Sequence, residues 1–414
     1  MKLPEVPEIK SGQGLPTTTI DDSKAGWADS VKILMESLYD GQNIYFDYSE
    51  IRPEGARLHT MGGRASGPNP LIKLHDFIRE TMHNSQGRKL TTLEAHDICN
   101  QIAEIVVVGG VRRSSQISLS DLDDTEMRHA KEWPFPIKRA MANNSAIFRE
   151  KPTAAQFLKE WAALALSGTG ERGIFNLQSA QNKSPSRRYA PLIQGTNPCG
   201  EIMLRDMQFC NLSEVVIRRQ DDLDSLLDKV ETATWLGVIQ STFTNFPYLR
   251  KEWKKNCDVE RLLGVSLTGQ MDNPSVLTSE GLKALKSRVL RISRKASSIL
   301  GINVPTATTC VKPSGTVSQL VDSASGVHPR YSQYYIRRYR IAARDPLFKM
   351  MKDAGIKANP EVGQTKKDAS TWVLEFPVKS PEGCITRKDV TALELKDNTQ
   401  GKAEYACVGD KCDI

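Results

Sequence analysis

Helical and strand-like patterns alternate along the chain, and this alternation limits its possible folds more than any other feature. Apolar residues recur at helical spacing in segments 24–40, 71–82, 91–108, 153–166, 222–243 and 279–300. Patterns typical of strands lie between or after them, at 43–48, 116–119, 173–177, 201–204, 264–267, 334–341 and 372–376. Such alternation favours an α/β fold with buried strands. The pattern alone does not decide between an α/β barrel and an open sheet.

Composition excludes several function classes. The chain has 414 residues and a net charge of +7, and no apolar run is long enough to cross a bilayer. Residues 1–7 resemble neither a signal peptide nor a transit sequence, so we expect a cytoplasmic protein that contacts no membrane. The basic excess is modest and dispersed, which suits phosphate-bearing small molecules better than nucleic acid. Arginines at 337–340 favour a solvated edge strand or a phosphate-facing strand over an RNA-binding patch.

One short motif combines thiols with a carboxylate. Cys199 and Glu201 stand two residues apart, so an extended backbone places them on the same face. Cys210 follows Cys199 by eleven residues, after a short turn. Two thiols and a carboxylate facing one space suit redox or radical chemistry on a small substrate. A buried cysteine beside a surface glutamate explains these residues about equally well.

Further motifs are each weak evidence alone, but their order along the chain is informative. They include Gly109-Gly110-Val111-Arg112-Arg113-Ser114 and Ser325-Gly326-Val327-His328-Pro329-Arg330, with others at 46–56, 62–68, 97–100, 142–145, 170–174 and 308–318. In this order the chain resembles the adenosylcobalamin-dependent (class II) ribonucleotide reductases, and most of all their monomeric ribonucleoside-triphosphate reductase branch. The resemblance runs from about residue 22 to 378 and resumes at the C-terminal end.

The resemblance implies a fold, an activity and a cofactor. The fold would be a partial ten-stranded α/β barrel, with the active-site thiol on a finger loop at its centre. The activity would be the adenosylcobalamin-dependent reduction of ribonucleoside triphosphates. Thioredoxin would re-reduce the enzyme after each reaction, and dNTP effectors would control its activity. We expect an irregular lead-in over residues 1–20, a catalytic domain over 21–396 and a flexible redox tail over 397–414.

The resemblance also assigns roles around the first motif. Cys199 would carry the thiyl radical that removes the 3′-hydrogen, and Glu201 would act as general base on the 3′-hydroxyl. Asn197 would bind the substrate and orient that carboxylate, although a lone asparagine before proline is more often a turn residue. Cys210 would be one of two thiols that deliver reducing equivalents and end as a disulfide.

Two cysteines lie near the C-terminal end of the sequence. Cys407 and Cys412 match the swinging dithiol that re-reduces the active-site disulfide in this family, and a mobile tail suits thiol–disulfide exchange. Half of a zinc site is a poorer interpretation, because no second cysteine pair is present. An unassigned surface dithiol stays open as an alternative.

Two further segments resemble nucleotide-binding parts of the family. Ser314, Gly315 and Thr316 form a glycine-containing turn where backbone N–H groups would grip substrate phosphates, although such a string alone is usually only a turn. Gly110, Arg112, Arg113 and Ser114 resemble the specificity loop, although a helix end with two solvated arginines fits too. His328 has no partner at metal-ligand spacing, so no metal site is expected.

The sequence also departs from the family pattern. The family carries a long segment before residue 46, with the thiol that pairs with the one at Cys210, and another barrel segment after residue 378. Cys99, Cys257, Cys310 and Cys384 match none of its motifs and are expected to be structural, although Cys310 lies near an active-site motif. A complementing reductase chain is therefore a possible partner. A nucleotide-binding remnant, a simple thiol–disulfide protein and a reductase with another radical source remain alternatives.

Overall fold

A computed structural model describes residues 3–10, 16–58, 64–105, 115–343, 345–361, 364–367, 369 and 371–390. Among these residues the chain divides into two compact units. The first contains residues 3–147 and 152–175, and the second contains residues 148–151 and 176–390. The predicted division into lead-in, catalytic domain and redox tail is one of function, and it stays a prediction.

The first unit alternates helices with short strands. Its described helices are α1 (Lys24–Tyr39), α2 (Asn69–Asn84), α3 (Thr92–Ile105), α4 (Thr125–His129) and α5 (Ala154–Leu166). Its described strands are β1 (Thr17–Thr19), β2 (Tyr45–Asp47), β3 (Gln116–Ser120), β4 (Ala142–Phe148) and β5 (Gly173–Asn176). The helices predicted from apolar spacing are thus confirmed, while β1, β4 and α4 had no clear pattern in the sequence.

An apolar core between α1 and α2 holds the start of this unit together. Ser23 caps α1, because its side chain accepts the N–H of Gly26 at 3.0 Å. The capping box predicted at the start of α3 is also present: Thr91 and Glu94 each accept the other's backbone N–H. The fully buried apolar side chains of α1 and α2 meet on one face of each helix, and they are Leu34, Leu38, Leu71, Leu74, Ile78 and Met82.

One histidine is enclosed in this core. The ring of His75 is fully buried, with Nε2 3.1 Å from the Ser30 hydroxyl and Nδ1 2.8 Å from the Tyr48 hydroxyl. Burial is the main cause that lowers the pKa of His75 to about 4, and the nearby Arg79 guanidinium is the second. The ring is therefore neutral at pH 7.

The remaining strands of the first unit form a sheet in the order β3-β4-β5. β3 and β4 run parallel, from Gln116 opposite Ala142 to Ser120 opposite Ala146. Beside them, the buried residue of α5 is Glu160, which accepts hydrogen bonds from two buried arginines, Arg128 at 2.7 Å and Arg172 at 3.0 Å. A buried carboxylate of this kind is tolerated because it is paired and hydrogen-bonded.

The second unit contains a further set of helices and strands. Its described helices are α6 (Leu177–Asn182), α7 (Leu223–Gln240), α8 (Lys251–Glu260), α9 (Ser279–Leu300), α10 (Gly315–Leu320) and α11 (Pro346–Asp353). Its described strands are β6 (Ile193–Thr196), β7 (Met203–Arg205), β8 (Asn211–Val216), β9 (Leu263–Thr268), β10 (Tyr334–Ala342), β11 (Ala358–Pro360) and β12 (Thr371–Lys379).

A parallel pair of strands covered by two long helices forms the core of the second unit. β8 and β9 pair in parallel, from Asn211 opposite Leu263 to Val216 opposite Thr268. Parallel strands need a crossover, and α7 and α8 lie in the segment that connects them. The buried apolar residues of α7, α9 and the strands pack together, and they are Val215, Ile217, Leu226, Val230, Ala233, Val265, Leu285 and Val289.

A third extended segment lies against β9. Val265 donates its N–H to Thr308 and accepts that of Cys310, at 2.9 and 3.2 Å. This segment therefore forms a single parallel bridge, between Thr309 and Val265. It stops early because Lys312 donates its N–H to the Ser266 hydroxyl, and Pro313 has no N–H to donate.

The last part of the unit is an antiparallel sheet in the order β10-β12-β11. The prediction that the arginines at 337–340 occupy an edge strand is confirmed, since they lie on β10. Arg338 contacts Glu375 at 3.2 Å and Arg340 contacts Glu361 at 2.6 Å. These arginines thus pair with carboxylates of the same sheet.

The fold class is a mixture of helices with parallel and antiparallel strands, as predicted. Within the described ranges the strands form two- and three-stranded sheets, and none of these sheets closes on itself. Of the helices in the described part of the chain, none combines the length and the apolar character needed to cross a bilayer.

The buried His75 predicts a specific loss of stability in acid. Its pKa in the folded chain lies below that of an unfolded histidine, so its contribution is present above about pH 6.5 and is lost as the pH falls towards 4. The contribution is about 3 kcal/mol. Urea unfolding at pH 7 and pH 4.5 should show a smaller loss for His75→Gln than for the parent chain. His328→Gln, at an exposed position, is the control and should behave like the parent. An equal loss in His75→Gln and the parent would contradict this account.

Gly264 predicts a second effect on stability. A Cβ atom there would lie 2.5 Å from Leu212 Cδ2 and 3.0 Å from both Cys310 Sγ and Ile202 Cδ1. Gly264→Ala should therefore lower the free energy of unfolding by about 1–3 kcal/mol, as overpacked cores do.

Gly237→Ala is the matched control for this substitution. A Cβ atom there meets Leu263 at 3.4 Å, an ordinary contact, and alanine favours the helix by about 1 kcal/mol. Urea unfolding of both variants measures the difference. Equal stability of Gly264→Ala and the parent would show that the space above Gly264 is not tightly filled.

Candidate active site

The hairpin of β6 and β7 carries the predicted thiol at its tip. β6 and β7 are antiparallel, with Thr196 opposite Met203. In the turn, Asn197 donates its backbone N–H to the Ile202 carbonyl at 3.1 Å, and Gly200 donates its N–H to the Asn197 carbonyl at 3.0 Å. Gly200 has a φ of 82°, which favours glycine. Cys199 is therefore presented, exposed, at the end of a tight turn.

A buried ion pair fixes the base of this hairpin. Arg188 binds Glu260 at 2.9 Å and also donates to the Met203 carbonyl of β7 at 2.8 Å. Gln208 donates to the same carboxylate at 2.6 Å and accepts the N–H of Arg205. Because Glu260 ends α8, this network ties the hairpin to the helix that precedes β9.

Asn197 has a structural role in the turn. Its side-chain oxygen accepts the N–H of Ile202 at 3.0 Å. The amide oxygen thus holds the two ends of the turn together, as in the turn-residue interpretation of the sequence. Its predicted contact with substrate stays a prediction.

Glu201 carries an oxygen with unused hydrogen-bonding capacity. Its Oε2 atom is inaccessible to solvent and accepts no hydrogen bond from any described residue. Buried carboxylate oxygens nearly always have a partner, so this atom is poised to accept a hydrogen bond from a ligand. A substrate hydroxyl group meets that requirement.

Two thiols lie in the electrostatic field of Glu201. Burial raises the pKa of the Cys210 thiol, and the nearby Cys310 and Glu201 raise it further. Burial likewise raises the pKa of Cys310 to about 12, and Glu201 is its next largest cause. Both thiols are therefore protonated at neutral pH. The structure brings Cys210, Cys310 and Glu201 together, whereas the sequence had assigned Cys310 a structural role.

The predicted phosphate turn lies beside a carboxylate. Ser314 has a φ of 64° and is buried, and its hydroxyl donates to Glu214. The ammonium group of Lys312 lies 4.0 Å from the other oxygen of that carboxylate. Gly315 begins the short helix α10, and Thr316 follows it. Glu214 thus engages the serine hydroxyl and lies within ion-pair distance of Lys312.

Sequence reasoning missed Glu214 and Ser266, and it noted Cys310 near an active-site motif but expected it to be structural. A signal for Glu214 was available, because it stands four residues after Cys210 and therefore on the same face of one strand. Several predicted residues lie outside the described part of the chain: Gly110, Arg112, Arg113 and Ser114 of the specificity loop, and Cys407 and Cys412 of the tail.

The buried thiols predict an order of alkylation. At pH 8 iodoacetamide should modify the exposed Cys199 well before Cys210 or Cys310. With a pKa near 12, Cys310 holds roughly 10³-fold less thiolate than an unperturbed thiol. Peptide mass spectrometry at successive times measures the order, and unfolding in urea is the control, since it should abolish the difference. Equal rates for Cys199 and Cys310 in the folded chain would contradict the structure.

Two family models match segments of the chain. Residues 10–82 match the family model described as "B12-dependent ribonucleotide reductase, insertion domain". Residues 110–281 match the model described as "Ribonucleotide reductase, barrel domain".

Curated relatives point to the same family. The chain is 31% identical over 408 residues to an adenosylcobalamin-dependent ribonucleoside-triphosphate reductase of Lactobacillus acidophilus, and 30% identical over 406 residues to that of Lactobacillus leichmannii. In both cases 87% of this chain and 53% of the relative are covered. The chain therefore spans about half the length of the curated relatives it matches.

A solved structure supports the fold. A crystal structure of a B12-dependent (class II) ribonucleotide reductase superposes with a TM-score of 0.72 at 26% identity, covering 92% of this chain and 57% of that one. The predicted α/β fold, as part of a reductase barrel, is thus confirmed. The chain belongs to the B12-dependent, class II ribonucleotide reductase family.

Proposed function

We propose that this chain catalyses the reduction of ribonucleoside triphosphates to 2′-deoxyribonucleoside triphosphates with adenosylcobalamin. The observation that carries the proposal is the unpartnered oxygen of Glu201, whose charge raises the pKa of two buried thiols, on the hairpin that presents Cys199. The printed names of the relatives supply the substrate class and the cofactor.

The exposed Cys199 suits a large cofactor. Adenosylcobalamin, when bound, supplies the initiating radical that protein side chains alone cannot generate. An exposed thiol at the tip of a tight turn is accessible to such a bulky group. Cys199, as a thiyl radical, would then remove the 3′-hydrogen of the ribose.

Glu201 and Cys210 would carry out the proton chemistry. The free Glu201 Oε2 atom would accept the 3′-hydroxyl proton, since a base must lie within hydrogen-bonding reach of the proton it takes. The protonated Cys210 would deliver hydrogen at C2′ as water leaves. A thiol held in its protonated form is ready to donate, so the raised pKa serves this step.

Substrate phosphates would bind near α10. The backbone N–H groups at Gly315 and Thr316 and the ammonium group of Lys312 would contact them, while Glu214 keeps the Ser314 turn in place. The same proposal includes thioredoxin as a partner, re-reduction through Cys407 and Cys412, and a cytoplasmic location. It also includes dNTP effectors that act at Gly110 to Ser114.

An apolar helix face supports a complementing chain as partner. Four apolar side chains of α5 are at least 40% exposed, and they are Phe157, Leu158, Trp161 and Leu166. An exposed apolar patch of this kind marks an interaction surface. We propose that the rest of a reductase barrel, on another polypeptide or another part of a longer one, covers it.

The proposed activity can be measured directly. Purified chain, adenosylcobalamin, a ribonucleoside triphosphate and dithiothreitol, with and without extract from the source cells, should yield deoxyribonucleotide. Cys199→Ser should abolish the product, and Glu201→Gln should lower kcat by about 10²–10⁴-fold. Cys99→Ser replaces another exposed thiol and serves as the matched control, with unchanged activity.

Two outcomes would overturn the proposal. Product formation by Cys199→Ser at the parent's rate would exclude the thiyl mechanism. Nucleotide binding without turnover, even with extract present, would identify a non-catalytic remnant.

A further inference from the structure

Three polar residues form a row across the extended segments of the second unit. In the parallel pairing of β8 with β9, Glu214 stands opposite Ser266. At the other edge of β9, Lys312 follows the segment 308–310 and donates its backbone N–H to the Ser266 hydroxyl at 3.0 Å. The row therefore runs from Glu214 over Ser266 to Lys312.

Glu214 lies on the side of β8 that meets Gly264 and the Cys310 sulfur. Leu212 and Glu214 are two residues apart on β8, so their side chains point to the same side. Leu212 covers Gly264 on that side, and the Cys310 sulfur also lies against Gly264. Burial is the main cause that raises the pKa of the Cys310 thiol, and Glu201 and Glu214 are further causes. Both carboxylates therefore lie within electrostatic reach of the same thiol.

The carboxylate of Glu214 is only partly compensated. Its side chain is 8% exposed, and its Oε1 atom accepts a hydrogen bond from the Ser314 hydroxyl. Its Oε2 atom is shielded from solvent and accepts no hydrogen bond from any described residue. The Lys312 ammonium group lies 4.0 Å from that atom, beyond hydrogen-bonding distance. Because buried polar atoms nearly always have a hydrogen-bond partner, this oxygen has unused capacity.

Lys312 is held loosely by this contact. By comparison, Lys229 in the same unit donates to Asp221 at 2.6 Å. The side chain of Lys312 is 26% exposed, and a lysine ammonium group sits on a flexible four-carbon stem. Lys312 can therefore turn away from Glu214 and towards an anion that enters from solvent.

We propose that Glu214 competes with the phosphate groups of the nucleotide for Lys312 and for the Ser314 hydroxyl. The inference rests on the proposed function, which binds substrate phosphates beside these residues. A carboxylate and a phosphate have the same sign of charge and accept the same hydrogen bonds from lysine and serine. A phosphate that takes Lys312 leaves the Glu214 carboxylate without its ionic contact, and the two anions repel each other. Glu214 therefore weakens the binding of nucleotides.

An internal competitor of this kind favours release of the product. The deoxynucleotide has the same three phosphates as the substrate, so a site that bound phosphates very tightly would also retain the product. Release of product limits turnover in many enzymes. Glu214 increases the rate at which the triphosphate dissociates, because its carboxylate takes Lys312 back as the phosphates leave.

Equilibrium binding of CTP to the full chain tests the competition without any turnover. Glu214→Gln keeps the shape of the side chain and an oxygen that can accept the Ser314 hydroxyl, but it removes the charge. Calorimetry should show that its dissociation constant for CTP is about tenfold lower than that of the parent, because one nearby negative charge is gone. Glu214→Asp keeps the charge and should bind CTP no more tightly than the parent. An unchanged or higher dissociation constant in Glu214→Gln would overturn the proposal.

Two further variants show whether the effect is local. Glu231 pairs with Arg288 at 2.8 Å in the same unit, so Glu231→Gln removes an equal charge elsewhere and should bind CTP like the parent. In a chain that already has Lys312→Met, Glu214→Gln should gain much less affinity, since the competition for that ammonium group is absent. An equal gain in Glu231→Gln, or the full gain without Lys312, would contradict the inference.

Turnover separates this inference from the proposed function. In the deoxynucleotide assay, Glu214→Gln should lower the KM for CTP and slow the dissociation of dCTP, whereas a purely structural role would change neither in this direction. Tighter CTP binding by Glu214→Gln, with no turnover in the parent, would support the competition and overturn the proposed activity. Turnover in the parent, with the same KM in both chains, would leave the activity standing and overturn the competition.

Discussion

The parallel pairing of β8 with β9 is the constraint on which the candidate active site depends. It fixes Leu212 opposite Gly264, and the segment 308–310 then adds to the free edge of β9. Parallel strands have even, slanted hydrogen bonds, and a shift by one residue would turn each side chain to the opposite face. The register therefore decides which thiols and carboxylates share a face.

Burial sets the chemistry on that face. Cys210, Cys310 and Glu214 lie where few water molecules reach them, so thiols stay protonated and the carboxylate is held by Ser314 and Lys312. The same burial leaves one Glu201 oxygen without a partner. A site that is incomplete in this way gains a hydrogen bond when a hydroxyl-bearing ligand enters.

Local pattern was enough for much of the fold. Helices such as α7 and α9 have apolar faces and clear caps, Asp222 and Thr278, so their extents follow from nearby residues. The finger loop around Cys199 was implied by the resemblance to the reductases, and the proline and glycine beside Cys199 suit its turn. Pairings between segments distant in sequence could not be predicted in this way. Cys310 was assigned a structural role because nothing in its neighbouring residues reports that β9, some 45 residues earlier, lies beside it.

The most direct test of the account is a crystal structure of the chain with a bound ribonucleoside triphosphate. The account predicts the 3′-hydroxyl oxygen of the ribose within hydrogen-bonding distance of Glu201 Oε2, and its C2′ atom facing the sulfur of Cys210. A nucleotide bound elsewhere, with Glu201 Oε2 still without a partner, would contradict it.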